Sequence, residues 1–420
     1  MSKSHKTGKI GRPRGTRDLF PEEMERRKYF ESIMRSIAES YGYGEIQTPA
    51  FENLELFTIK SGEDVVEEIY SFQDKGGRDL ALRPELTAPV LRAYVDECSV
   101  MTKPLRFYYF GNCFRYERPQ KARYREFWQF GIELIGSESY LADAEVILIA
   151  YDIMKQLNLD FELRIGHVGL LKHLLEGIEE EKASKIMRLI DKKDVKGLEE
   201  FINDIGLPKN LKDNIYSLIE TSGDREILGR AAEFVPHFDF SYLEKLCDVL
   251  DSMNIEYLLD FGIARGLDYY TGVVFEGYAR SGLGAQSQIC GGGSYRLAHL
   301  FGGGDTPSTG FALGFDRIAD ICEMQMEKDT VIAIINMGLE AEAFKIANLV
   351  REKTNKKVVM DVMERPLKKQ MRFADHINAQ YAVIIGEREL QENKYGLKDM
   401  KTGEQRLVDS DELIQVIQQL

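Results

Sequence analysis

Along residues 126–135 apolar and polar side chains alternate with a period of two. Trp128, Phe130, Ile132 and Leu134 fall on one face, and Phe127, Gln129, Gly131 and Glu133 on the other. This is the spacing of a β-strand with one face on a core. The run before it, about 107–117, is rich in aromatic bulk, which suits a second half-buried strand. There Arg115 and Glu117 share a face by the same rule, and the loop between the strands carries Arg118, Lys121, Arg123 and Arg125. Such a hairpin offers a floor bearing a ring, an amide and a carboxylate beneath a cationic flap. That combination suits a phosphate-bearing substrate lying on a sheet; it equally fits an ordinary amphipathic hairpin with a solvated loop.

Elsewhere the period switches between 2 and 3.6. Met24, Tyr29, Phe30, Ile33, Met34, Ile37 and Ala38 predict a helix, with Asp18 as its N-cap, Pro21 in its first turn and Gly42 and Gly44 ending it. Residues 45–57 read as a strand broken at Pro49. A long amphipathic helix followed by a strand fits a dimer surface as well as packing within its own domain. Residues 69–74 and 79–84 read as a hairpin around Lys75-Gly76-Gly77. A helix follows with Thr87 at a cap position, and Glu85 sits at the strand-to-helix corner, where a carboxylate is commonly a cap. A helix over 139–159 and a strand from 161 come next. Residues 170–255 are rich in Lys, Glu and Leu and read as a helical insertion between two halves of one sheet.

The sheet resumes over 257–279 and 284–304, with Arg265 at the head of a strand and Tyr269-Tyr270 after it. Glycines bracket these strands and allow close backbone approach. Residues 308–325 read as strand, Gly314, then helix, with Arg317 in the first helical turn, where a helix N-terminus and a guanidinium suit a phosphate. No glycine cluster matches GxGxxG or a P-loop. From residue 331 strands and helices alternate, which predicts a small α/β domain with a mainly parallel sheet.

Composition narrows the class. The 420 residues are 44% apolar and 30% charged, as in soluble globular proteins of two or three domains. No apolar run approaches the roughly 20 residues of a membrane helix. The basic N-terminus lacks the apolar stretch of a secretory signal, so residues 1–13 are expected to be a disordered basic tail. The five cysteines form no CxxC pair and the six histidines are dispersed. This predicts reduced thiols, a cytoplasmic protein and no dedicated metal site. A net charge of −14 argues against coating DNA. Two local basic patches remain, with five Lys/Arg against two Glu in 115–126 and six Lys/Arg in 356–372.

Taken together, these segments resemble the class II aminoacyl-tRNA synthetases, and among them the histidyl-tRNA synthetase family. FRYERPQKARYREFWQFGIE (114–133) is similar to the second class motif, GFALGFDRI (310–318) to the third, and residues 24–51 with Pro49 to the first, which forms the dimer interface. RGLDYYTGVVFE (265–276) resembles the signature of the histidine enzymes. PLKKQMRFADHINA (366–379) resembles a helix of the anticodon-binding domain. The family usually reads Gly-Gly-Arg-Tyr-Asp after the signature; here Gly292-Gly293-Ser294-Tyr295-Arg296 keeps only the tyrosine of the last three.

The resemblance implies an α+β protein. A class II antiparallel-sheet catalytic core (14–169 and 256–326) would be interrupted by the helical insertion (170–255) and followed by an anticodon-binding domain (327–420). It implies ATP-dependent activation of L-histidine and transfer to the 3′ end of histidine tRNA by a homodimer, with magnesium accompanying ATP and no membrane or DNA partner. By resemblance, Arg115 and Arg265 would meet the α-phosphate and Arg317 the γ-phosphate side. Arg123 would position the triphosphate, Phe127 would stack on adenine, and Glu117 would contact it. Glu133 and Tyr270 would read the imidazole, for which a carboxylate is a suitable partner. Glu85, Leu86, Thr87 and Gln129 would hold the amino end, Tyr269 and Tyr295 would line the pocket, and Gln120 would reach the tRNA acceptor end. Polar groups left unpaired by a wrong amino acid reject it by ~10⁴ or more, so no editing domain is expected.

Three rival readings exist. A regulatory subunit of histidine biosynthesis shares the core but lacks the anticodon domain and usually the signature arginine. A tRNA-sensing pseudo-synthetase would lose its phosphate arginines. A generic α/β nucleotide enzyme would need a fingerprint this sequence lacks.

Overall fold

A computed structural model describes residues 10–59, 67–117, 123–264, 269–284, 287–326 and 329–419. The chain divides into two compact units, residues 1–324 and 325–420. In the first unit the strands are β1 (Gly44–Glu45), β2 (Phe51–Asn53), β3 (Ser71–Gln73), β4 (Asp79–Leu82), β5 (Leu105–Phe114), β6 (Glu126–Ile135), β7 (Phe161–His167), β8 (Ser222–Gly223), β9 (Leu258–Asp260), β10 (Tyr270–Ala279), β11 (Gln288–Tyr295) and β12 (Ser308–Gly314). Nine of them form one sheet in the order β1-β5-β6-β12-β11-β10-β7-β9-β8, and β2, β4 and β3 form a small separate one. The central run from β5 to β7 is antiparallel throughout. Among the described residues the parallel pairs of this sheet lie toward its edges, β1 with β5 and β7 with β9.

The β5–β6 alternation sorts as the sequence predicts. Tyr108, Phe110 and Asn112 stand opposite Ile132, Phe130 and Trp128, and Tyr109, Gly111 and Cys113 opposite Gly131, Gln129 and Phe127. Of the first set, Tyr108, Phe130 and Ile132 are buried in the core and Phe110 and Trp128 pack against it, with Tyr108 stacked on Phe130 at 5.9 Å and Phe110 on Trp128 at 4.9 Å. Helices Pro21–Ser40 and Tyr140–Gln156 cover this side. The second set faces the site. β5 ends at Phe114, so Arg115 and Glu117 lie just beyond the strand rather than on it.

Three local expectations need correction. The first helix is capped by Phe20 and makes no side-chain cap hydrogen bond; Asp18 is instead in a surface pair with Arg12 at 3.6 Å. Past Pro49 the chain makes β2 and then a helical turn, Glu55–Thr58, because Leu56 and Phe57 bury side by side on one turn rather than on alternate faces. At the next corner Thr87 is the first helical residue and Leu86 the N-cap. The cap interaction comes from Glu85, whose carboxylate accepts the Thr87 N–H at 2.7 Å and the Ala88 N–H at 3.1 Å.

Between β7 and β9 run helices Val168–Leu174, Glu180–Asp191, Val195–Asp204, Lys209–Ile219, Ile227–Phe234 and Ser241–Ser252. Their apolar stripes join the same core as the sheet.

The second unit contains β13 (Val331–Asn336), β14 (Lys357–Met360), β15 (Tyr381–Ile385), β16 (Tyr395–Asp399) and β17 (Gln405–Val408), ordered β14-β13-β15-β16-β17. The first three are parallel; the polar hairpin adds β16 and β17 antiparallel, so the sheet is mixed rather than mainly parallel. β13 is buried on both faces. Ile332 and Ile334 pack with helices Glu340–Thr354 and Ser410–Gln418, and Ala333 and Ile335 with Ala374 of helix Leu367–His376.

Candidate active site

The site face of the central sheet is built from small residues with functional groups at its margins. Across β6, β12 and β11, Gly131, Ala312 and Gly291 lie in one row, and Glu133, Gly310 and Gly293 in the next. With so little side chain on the floor, a ligand can rest against the strands themselves. Gly310 shows why: a Cβ there would collide with the Glu133 carboxylate.

Above the floor lies a cavity of about 910 Å³ lined by Arg115, Glu117, Arg123, Phe127, Gln129, Gly291, Ala312, Gly314 and Arg317, among others. The insertion supplies another wall through Leu198, Tyr216 and Ile219. The guanidiniums arrive from separate segments. Arg115 is anchored by its Nε–H to the Pro84 carbonyl at 2.9 Å and lies over the Phe127 ring at 5.1 Å. Arg123, at the base of the flap, pairs with Glu117, which lies 3.9 Å from Arg115. Arg317 is held by the Gln288 carbonyl at 2.6 Å. Burial, then the like charges of Arg123 and Arg115, push the Arg317 pKa below its ordinary value against the opposing pull of Glu117. Cationic groups gathered at the cost of mutual repulsion are a signature of an anion site. Arg265 and Gln120 lie outside the described residues.

The residues expected to read histidine form a second, tighter cluster. Glu133 is 1% exposed. Tyr295 donates its hydroxyl to it, and the Tyr109 hydroxyl donates at 3.3 Å. Burial pushes this carboxyl up to about 8, against the opposing effect of the Tyr295, Thr87 and Tyr109 hydroxyls. Tyr269 packs on Tyr270 at 4.6 Å and edge-on to Tyr295 at 5.9 Å. Gln129 accepts from the Cys113 thiol at 3.3 Å, lines the cavity, and lies on the same face of β6 as Glu133. Leu86 is buried in the apolar core, which leaves only its backbone to a ligand.

The unusual residues beside Tyr295 do not line this cluster. Ser294 stands opposite Thr309 in the strand pair and points to the other side of the sheet. Its hydroxyl lies 2.7 Å from Asp143 Oδ2, which also accepts the Tyr242 hydroxyl at 2.8 Å. Arg296 pairs with Asp305 at 2.8 Å and with Glu138 at the surface.

Sequence reasoning missed two functional-site neighbours, Tyr109 and Asp316. Asp316 is 3% exposed and accepts from Arg27 at 2.8 Å, from Arg17, and from the Trp128 backbone N–H at 2.5 Å. A carboxylate immediately before Arg317 was the available signal, but its partners lie 188 to 299 residues away.

Residues 15–318 match the family model described as histidyl-tRNA synthetase, and residues 329–420 match the anticodon binding domain. A histidine–tRNA ligase of Archaeoglobus fulgidus is 57% identical, covering 98% of this chain and 100% of that protein. One of Methanosarcina acetivorans is 50% identical over 97% of this chain and 98% of its own. Among solved structures, histidyl-tRNA synthetase from Nostoc sp. PCC 7120 superposes with a TM-score of 0.80 at 26% identity, covering 98% of this chain and 99% of that one. The apo Staphylococcus aureus enzyme gives 0.73 at 30% identity over 97% and 99%. With the antiparallel platform, the gathered arginines and a full-length match in both units, the chain belongs to the histidyl-tRNA synthetase family.

Proposed function

We propose that this chain activates L-histidine with ATP and transfers it to histidine tRNA, with the chemistry performed over the β6–β12–β11 floor. The carboxylate of histidine attacks the α-phosphorus, the bond to the β-phosphate bridging oxygen breaks, and pyrophosphate leaves. The terminal adenosine of the tRNA then takes the histidyl group from the adenylate and AMP leaves. No protein nucleophile is needed. The protein holds the reactants in line and meets the charge that builds on phosphorus.

The observation that carries this reading is the convergence of Arg115, Arg123 and Arg317 on one cavity, beside Phe127 and Gln129. In this reading Arg115 and Arg265 serve the α-phosphate, Arg317 the γ-phosphate end, Arg123 the triphosphate, and Phe127 with Glu117 the adenine. Glu133 and Tyr270 take the imidazole, Tyr269 and Tyr295 wall the pocket, and Glu85, Leu86, Thr87 and Gln129 the amino end. Gln129 and Glu133 share one face of β6, which supports a single connected site. Magnesium, which accompanies ATP in this class of enzyme, would ride on the phosphate oxygens. Among the described residues no group of three or more His, Cys, Asp or Glu is assembled to hold a metal.

Residues 327–420 would bind the anticodon arm and Gln120 the acceptor end. A second copy would pair through the segment around helix Pro21–Ser40, and the enzyme would work in the cytoplasm. Among the described residues no helix is long and apolar enough to cross a membrane. Histidine-dependent exchange of pyrophosphate into ATP tests the assignment. The wild type catalyses it and Arg265→Ala abolishes it while the fold survives; near-normal exchange in that variant refutes the role given to Arg265. Absence of exchange in the wild type refutes the function.

A further inference from the structure

The segment ahead of the first helix, Gly15-Thr16-Arg17, carries a set of contacts that its sequence alone does not explain. Gly15 accepts the Arg125 backbone N–H at 2.8 Å. It does so at a φ of +85°, and a Cβ there would lie 2.8 Å from the Arg125 side chain. Both features favour glycine. Two residues on, Arg17 lies 4.1 Å over the Tyr124 ring and donates to its hydroxyl at 3.2 Å. The other side of the same guanidinium pairs with Asp316, and Asp320 and Glu23 each lie 3.6 Å from it. Arg17 thus bridges the base of the cationic flap, at Tyr124 and Arg125, to the start of helix Phe315–Ile321.

Asp316 completes the connection. It takes the Trp128 N–H at 2.5 Å, one residue from Phe127, and it precedes Arg317 in the chain. Arg27, itself buried, supplies a further donor at 2.8 Å and lies over the Phe315 ring at 4.6 Å. A buried carboxylate with three donors in different directions is satisfied only when all of them are in place.

We propose that Arg17 and Asp316 are a positioning pair for the nucleotide half of the site, fixing Phe127 and Arg317 relative to the flap. Arg17 is not among the residues lining the cavity, and Asp316 stands at its wall with its carboxylate taken up by Arg17, Arg27 and the Trp128 N–H. The pair acts through the residues on either side of it, and the proposal rests on the reading of the cavity as the ATP site. The planar fork of an arginine suits this role, because one group must stack on a ring and pair with a carboxylate at once.

The test is pyrophosphate exchange with separate titrations of ATP and histidine. Displacing a positioned group by about 1 Å costs on the order of 100-fold. Arg17→Ala is therefore expected to raise KM for ATP about 10- to 100-fold while KM for histidine changes less than about 3-fold. Trp128 is the single tryptophan of the chain, so its emission reads the same region directly. It should shift in Arg17→Ala and respond weakly to ATP. Arg12→Ala, which removes only an exposed surface pair, serves as control and leaves both KM values unchanged. Should Arg17→Ala fail to fold, Arg17→Lys carries the test. It keeps the charge without the fork and is expected to raise KM for ATP several-fold. An active wild type with unchanged KM for ATP in the folded Arg17 variant overturns the proposal. So does an equal rise in both KM values. Absence of exchange in the wild type would instead overturn the assignment of the cavity.

Discussion

Replacing Glu133 by Gln separates what this carboxyl does for the fold from what it does for the substrate. In the folded protein burial raises the carboxyl from 4.5 to about 8. Below pH 4.5 it is protonated in both folded and unfolded chains and costs nothing. Between pH 4.5 and 8 the unfolded chain releases the proton while the folded one keeps it, so this group's contribution to stability declines as pH rises. Above pH 8 the decline ends. At about 1.36 kcal/mol per pKa unit, the total is at most about 5 kcal/mol. Gln is neutral at every pH and of nearly the same shape, and Tyr295 can still donate to its oxygen. Glu133→Gln should therefore match the wild type near pH 4.5 and exceed it by several kcal/mol at pH 9. For a 324-residue unit, with an unfolding entropy of ~0.7 kcal/mol/K, that corresponds to ~7 °C in Tm. His167 works in the opposite sense. Burial lowers it to about 4, so its contribution is lost as pH falls from 6.5 toward 4. Both proteins share it, and it cancels in the difference. The assay is thermal unfolding of both proteins at half-unit steps from pH 4.5 to 9, without histidine. Parallel curves would refute the argument, because they would mean that Glu133 titrates as an exposed carboxylate does. The same variant should lose most histidine-dependent exchange. A residue whose removal stabilises the fold and disables the reaction is one retained for function.

Three further outcomes follow from the contacts. Gly310→Ala places a methyl against the Glu133 carboxylate and should raise KM for histidine at least about 10-fold in pyrophosphate exchange, with a smaller effect on KM for ATP. Ser294→Ala removes one donor to buried Asp143 and should cost about 1–2 kcal/mol in urea unfolding; because Ser294 faces away from the Glu133 cluster, KM for histidine should stay within about 3-fold. In the C-terminal unit Gln370 is buried and bonds the Asn336 N–H at 2.9 Å, the Asn336 carbonyl at 2.8 Å and the Arg365 carbonyl at 2.6 Å. Gln370→Ala should cost that unit about 2–4 kcal/mol, seen as faster amide exchange around 336 and 365, while pyrophosphate exchange is unaffected.

What could be read from the sequence was local. The faces of β6 follow from a period of two, and that period also placed Gln129 and Glu133 together. Arg317 at the start of a helix after Gly314 was visible as a strand-to-helix junction. The burial of Glu133 was not visible, because its cover comes from Tyr109 on one side and Tyr295, 162 residues later, on the other. The direction of Ser294 needed the register of β11 against β12, which no pattern within β11 specifies. Asp18 had the right chemistry for a cap, but the helix starts at Pro21, so the cap position falls on Phe20, two residues beyond it. The mixed C-terminal sheet escaped because a polar hairpin predicts two strands without saying which edge they join.

The strand order also governs how the protein emerges from the ribosome. β6 ends at Ile135 and its neighbour β12 begins at Ser308, so β6 waits for a partner that is synthesised about 170 residues later. At roughly 5–20 residues per second that wait lasts about 10–35 s. Throughout it, an apolar hairpin carries a row of unpaired amides and carbonyls, the kind of edge that recruits other strands. The intervening helices are made during that interval and can fold by short-range contacts alone. The nascent chain is thus most exposed to aggregation and chaperone capture after the first hairpin is complete and before residue 314 has left the tunnel.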